Sequence, residues 1–150
     1  MESREGIRHV LRELLSNQRL AVLSTHNSGQ PYASLVAFAC SDDLRFLYFV
    51  TPRTTRKFSN LQNDCRVALL ITSSANQETD FHQAMAVTVV GIAGEISGPE
   101  KETALNRYLE RHPYLEEFAR SPTCAFVKVS ARTYILVKNF QHVMEFHLEP

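Results

Sequence analysis

The segment RLAVLSTHNSGQPYASLVAFACSDDLRFLYFV, residues 19–50, limits the possible folds more than any other part of the chain. It holds three short apolar runs, broken by HNSGQP and SDD, which are rich in the residues that make tight turns. Runs this short, so punctuated, predict three antiparallel strands. In the second run Tyr32, Ser34, Val36 and Phe38 share one face and Ala33, Leu35, Ala37 and Ala39 the other. The two faces differ in bulk and hardly in polarity. Both are expected to be covered, as in a barrel or beneath helices, and not to form an open sheet with one wet side.

The rest of the chain extends this pattern. Residues 3–16 place Ile7, Val10, Leu11, Leu14 and Leu15 at helical spacing with Arg and Glu opposite, which predicts an amphipathic first helix. A short helix over residues 54–63 leads into the strand RVALLIT, followed by the polar loop SSANQETDFHQ. AMAVTVVGIAGEIS is β-rich, and Gly91 and Gly94 suit a bulge or bend. Ser97, Pro99 and Glu100 mark a helix start with a capping box, and YLEEFAR adds a further turn. SPTCAFVKVSARTYILVKNF is read as two strands, and QHVMEFHL closes the chain. Six or seven strands with a leading helix and one or two late ones predict a mainly β fold, a β-barrel with peripheral helices. With no repeat, low-complexity tract or linker, residues 1–150 are read as a single domain.

Composition narrows the function. Sixteen Lys and Arg balance sixteen Asp and Glu, so there is no field to steer the surface onto nucleic acid or an anionic membrane. No apolar run approaches the roughly 20 residues needed to span a bilayer, and the charged start MESREGIRHV does not read as a secretory signal. A cytoplasmic protein with no membrane partner is expected. Cys40, Cys65 and Cys124 form no CxxC pair and are read as reduced core thiols, with no metal site suggested.

YFVTPRTTRKFSNL carries the strongest functional signal. Arg53, Arg56 and Lys57 cluster with the hydroxyls of Thr51, Thr54 and Thr55 where a helix should begin. Cations there oppose the helix dipole by about 0.3–1 kcal/mol, whereas a bound phosphate reverses the sign. A solvated basic helix end is the competing explanation. No Gly-rich phosphate fingerprint accompanies the cluster.

Three stretches taken in order, AVLSTHNSGQPYASLVAFA, LRFLYFVTPRTTRKFSNLQNDCRVALL and AVTVVGIAGEIS, resemble the FMN-binding split barrels related to pyridoxamine 5'-phosphate oxidase. The resemblance covers residues 5–138. It implies an antiparallel Greek-key split barrel and an FMN phosphate held by Arg56 and Lys57 with Thr55 beside them. It also implies a flavin ring lying along Ser34, Leu35, Val36 and Ala37 and the strand end Val50 and Thr51. A homodimer with flavin between the subunits is implied as well. Three departures stand out: Ser34 occupies a position usually Arg in the vitamin-synthesising oxidases, Ala86 one usually Gln, and QHVMEFHLEP lacks their Arg-bearing substrate segment. The expected activity is therefore that of an FMN-dependent oxidoreductase on some other small molecule.

Flavin performs the electron or hydride transfer, so no acid–base pair need be visible, and none is assigned as catalytic. HExxH and GxSxG are absent from the sequence. His142 and His147 connect to a second possibility, a haem-binding or haem-degrading protein, since some split-barrel relatives are haem-degrading proteins with a His in a C-terminal segment; an ordinary surface or hydrogen-bonding role is the competing reading of both. On a strand they would face opposite sides. His26 and His82 are placed in loops, His9 and His112 on solvated helix faces. A non-enzymatic flavin-binding or flavin-sensing protein, and a deazaflavin cofactor, are further alternatives.

Overall fold

In the computed structural model, which describes residues 3–149, every strand pairing is antiparallel. The strands are β1 (Leu20–Asn27), β2 (Gln30–Ala37), β3 (Ala39–Cys40), β4 (Phe46–Pro52), β5 (Arg66–Thr72), β6 (Met85–Glu95), β7 (Cys124–Lys138) and β8 (His142–His147). Their order is β2-β1-β5-β6-β7-β4-β3, with β8 added on β7. Only Phe38 separates β2 from β3, so the two ends of this path are covalently joined and the sheet must curl on itself. It closes everywhere except between β2 and β4, which approach without forming a ladder. This is the barrel that the strand pattern predicts, with the split that the resemblance implies.

The helices are α1 (Arg4–Asn17), α2 (Arg56–Asn63), α3 (Asp80–Gln83), α4 (Gly98–Arg111) and α5 (Glu116–Arg120). Ser3 caps α1, its hydroxyl accepting from the Gly6 amide at 3.0 Å, and Leu11, Leu14 and Leu15 carry the apolar stripe into the barrel. Phe58 and Leu61 of α2 join them against Leu23, Phe38, Phe49, Leu69, Val89 and Val129. Each such side chain contributes about 1.5–3 kcal/mol on burial. A second core lies outside the barrel, where Ala104, Leu105, Tyr108 and Leu109 of α4 cover Tyr48, Val50 and Phe126. β4 thus has Leu47 and Phe49 facing inward and Tyr48 and Val50 facing α4.

Several local expectations change. The stretch read as two late strands is one 15-residue strand, because β7 pairs with β4 along its first half and β8 along its second while β6 follows it throughout. Between Val90 and Gly91 the register slips, leaving Arg132 as the extra residue of a bulge. Gly91 is required there, since a Cβ would lie 2.4 Å from the Ser130 carbonyl oxygen. The polar loop contains the single turn α3. Ser97 makes no side-chain cap to α4, and Glu100 instead accepts from Lys128 Nζ at 3.0 Å. The two faces of β2 are not both covered. Ala33 is exposed and Leu35 is 63% exposed, so the outward face is bare in a single chain. Cys65, read as a core thiol, is exposed, since it belongs to the short connection between α2 and β5.

Candidate functional site

The split has the form of a V. Its apex is the pair Ala39–Tyr48 on β3 and β4, and the arms are β2 running back towards Tyr32 and β4 running on towards Pro52. β2 is paired only with β1, and β4 beyond Tyr48 only with β7. Each arm therefore presents an unpaired strand edge to the gap. Ser34–Ala37 lie on one arm, Val50 and Thr51 on the other. Their side chains do not all point into the split: Val50 packs beneath α4, Leu35 faces outward, and Val36 joins the barrel core.

At the open end of the V the chain leaves β4 and turns into α2. Thr55 is the N-cap, with extended backbone and a hydroxyl that accepts from the Phe58 amide at 3.3 Å. The Thr51 and Thr55 hydroxyls are 2.7 Å apart, and each is within reach of the Pro52 carbonyl. Behind them Asn60 Nδ2 donates to Thr25 Oγ1 at 3.1 Å, a buried pair that ties α2 to β1. The amides of Arg56 and Lys57 lie ahead of the first helical hydrogen bond and are free to meet a ligand.

A groove of about 850 Å³ opens here, lined by Tyr32, Thr54, Thr55, Arg56, Ser59 and Asn60 among others. Arg56 stands over the Tyr32 ring, its guanidinium carbon 5.3 Å from the centroid. Lys57 is half-buried and does not line the groove. Among the described residues neither cation meets a carboxylate, whereas Arg53, the third charge of the turn, is consumed structurally. It donates to the carbonyls of Pro122 and Cys124 at 2.8 and 3.0 Å and pairs with Glu95. The basic turn therefore divides into one brace and two unpaired charges.

One orphan lies further in. The Ser34 hydroxyl oxygen is buried with no hydrogen-bond partner among the described residues, a condition costing about 1–3 kcal/mol if left so. A nearby pair, His26 Nε2 with Asp64 Oδ2 at 3.1 Å, forms part of a surface network, and His26 is on β1 and not in a loop. The Arg66 fork holds the Asp64 carboxyl well below the usual carboxylate range.

Other polar candidates are accounted for. Burial pushes the Cys40 thiol up to about 12, so it is not a nucleophile at neutral pH. Asp43 forms its turn by accepting from the Ser41 hydroxyl and the Arg45 amide, while Asp42, read as a turn former, pairs with Arg107. His147 is engaged at both ring nitrogens, by Thr133 at 3.1 Å and Glu145 at 3.0 Å, and His142 is exposed on β8. Among the described residues no group of three His, Cys, Asp or Glu side chains could hold a metal ion, and no helix is long and apolar enough to cross a membrane.

Sequence reasoning placed His112 on a solvated helix face. It is only 8% exposed, and its Nε2 lies 2.7 Å from the Phe38 carbonyl. Burial, with Arg111 and Arg19 adding like charge, lowers its affinity for a proton, although the bond to Phe38 works the other way. No local signal marked it, because its partner lies 74 positions away.

The solved structures most informative for this geometry share its fold at low identity. A haem-binding protein from Mycobacterium smegmatis has 15% identity and a TM-score of 0.84, over 98% of this chain and 59% of that one. HutZ, a haem storage protein from Vibrio cholerae, has 12% identity and a TM-score of 0.72, over 83% and 89%. General Stress Protein 26 from Bacillus anthracis has 21% identity and a TM-score of 0.67, over 95% and 98%. This chain thus spans about three-fifths of the mycobacterial protein. A comparison with curated protein sequences returns no match. The family model for pyridoxamine 5'-phosphate oxidase matches residues 7–138, nearly the whole barrel. The chain, with its V-shaped split and the basic turn at the open end, belongs to the pyridoxamine 5'-phosphate oxidase family.

Proposed function

We propose that this protein binds FMN in the split between β2 and β4 and acts as a small-molecule oxidoreductase. The observation that carries the reading is the pair of cations at the first turn of α2, Arg56 and Lys57, set against the helix dipole with no carboxylate to offset them. A terminal phosphate of charge about −1.5 to −2 in this groove would meet Arg56, the first amides of α2 and the Thr55 hydroxyl, with the Lys57 charge one residue on but outside the lining. The other residues suit the group too. The orphaned Ser34 hydroxyl and the unpaired strand edges at Ser34–Ala37 and Val50–Thr51 offer donors and acceptors to a flat, heteroatom-rimmed ring. FMN supplies one- and two-electron transfer, and the chain supplies position and electrostatics. Ser34 and Ala86, short side chains where the vitamin-forming oxidases have Arg and Gln, favour a different substrate.

The active unit in this reading is a homodimer. Leu20, Val22, Leu35, Leu70 and Val90 are exposed on adjacent strands, with Val22 directly between Leu35 and Leu70. Such a row on the outer sheet face is what a self-complementary interface would cover. The substrate in this reading is a small molecule.

A second reading has its own support in the haem-binding and haem-storing relatives of the same fold. His142, whose exposed side chain has no hydrogen-bond partner among the described residues, would be its iron ligand. The visible spectrum of the purified protein separates the two. Flavin bands, with FMN released on heating, support the first. A Soret band on adding haemin that is lost in His142→Ala, with no flavin bound, would replace it with the second.

A further inference from the structure

The apex of the V is held by an unusual concentration of contacts from one helix. Tyr108, near the end of α4, donates its hydroxyl to the Ala37 carbonyl at 3.1 Å. His112, the C-cap residue one turn later, reaches the next carbonyl, that of Phe38, at 2.7 Å. Their rings lean on each other with centroids 4.9 Å apart. Arg107, on the same helical face, donates to the Cys40 carbonyl at 3.1 Å and pairs with Asp42, and the Arg111 guanidinium carbon lies 5.7 Å from the centre of the Phe38 ring. Four side chains at spacings of three and four thus grip the stretch 37–42.

At this stretch the chain passes directly from one arm of the split to the other. Ala37 ends the strand paired to β1, and Ala39 begins the strand paired to β4. Carbonyls there cannot all join a ladder, because the chain is changing partners. Since Phe38 O can only accept, His112 Nε2 carries the proton. Beyond this corner no ladder joins β2 to β4, so the contacts that hold it bear on how far the V opens.

We propose that Tyr108 and His112 are positioning residues for the crevice: by holding the carbonyls of Ala37 and Phe38 they set how far β2 stands from β4. They touch no ligand. They act through the two strand edges, and so on the part of the site that would receive a ring, not on the basic turn that would receive a phosphate. This rests on the cofactor reading above only where a ligand is used to sense the spacing.

The test pairs a ligand-free readout with riboflavin, a probe that has the ring and no phosphate. Tyr108→Phe, His112→Leu, their combination and His112→Gln are prepared, the last keeping an N–H donor. Hydrogen–deuterium exchange on the free protein should show the amides of 34–37 and 50–51 exchanging roughly tenfold faster in the combined variant, with β5 and β6 unchanged. Riboflavin affinity should fall by a similar factor, and His112→Gln should recover most of His112→Leu's share. If the combined variant does not fold, Tyr108→Phe alone should show the same pattern at roughly threefold. Unchanged exchange at the two edges, or an increase spread evenly over the sheet, would overturn the proposal. A wild-type protein that binds no flavin would sink the cofactor reading instead, leaving the exchange pattern to decide the clamp.

Discussion

Arg56 and Arg53 sit three residues apart in the same turn and have opposite fates. Arg53 is tied to two carbonyls and Glu95, and among the described residues Arg56 meets only the Tyr32 ring. The chemistry of the turn was legible in the sequence, because three cations and three hydroxyls at a helix start are odd in any context. Which cation is the brace was not legible, since Glu95 and Cys124 come from distant strands. Replacing Arg56 or Lys57 by Ala should weaken FMN binding by about 1.5–3 kcal/mol, the range for hydrogen bonds to charged groups, as read by flavin fluorescence titration. Tyr134 permits a separate check on stability. Its buried hydroxyl donates to the Leu44 carbonyl at 2.6 Å, and Leu44 is held at a φ of 65°. Tyr134→Phe should cost about 1 kcal/mol in urea unfolding without altering flavin affinity.

Among the elements, β7 shows most clearly why boundaries escape a sequence reading. SARTY looks like a turn between two strands, yet its backbone is satisfied by Arg45 on one side and β6 on the other, and the bulge opposite Gly91 absorbs the change in direction. Gly91→Ala should therefore lower stability by about 1–3 kcal/mol, measured by thermal unfolding, because the clash is with backbone and not with a side chain that could swing away. The end of α4 carries a pH signature. His112 has its proton affinity lowered in the folded state by burial, with Arg111 and Arg19 as the charges around it and Tyr108 beside it. The unfolded chain takes up a proton below about pH 6.5 while the folded one resists, so stability is full above that pH and falls as pH drops below it. Thermal unfolding across pH 5–8 should show this loss, and His112→Gln should flatten it.

For the whole molecule, the barrel was legible because strand-length apolar runs alternate with turn residues throughout, and the family model spans the same stretch. What the pattern misled on was the outer face of β2. Leu35 and Ala33 read as covered, and among the described residues both are exposed. If a second copy covers them, Val22→Glu with Leu35→Glu should convert a dimer to a monomer in light scattering, with loss of flavin affinity. A wild-type protein that is monomeric at micromolar concentration would refute that part of the account. More narrowly, the unpaired charges at the first turn of α2 are proposed to bind the phosphate of FMN. This is tested most directly by titrating FMN and riboflavin, which differ only in that group, against the wild-type protein and the Arg56→Ala/Lys57→Ala variant. The account predicts that the wild type prefers FMN by tenfold or more and that the variant binds the two about equally; equal affinities in the wild type would contradict it.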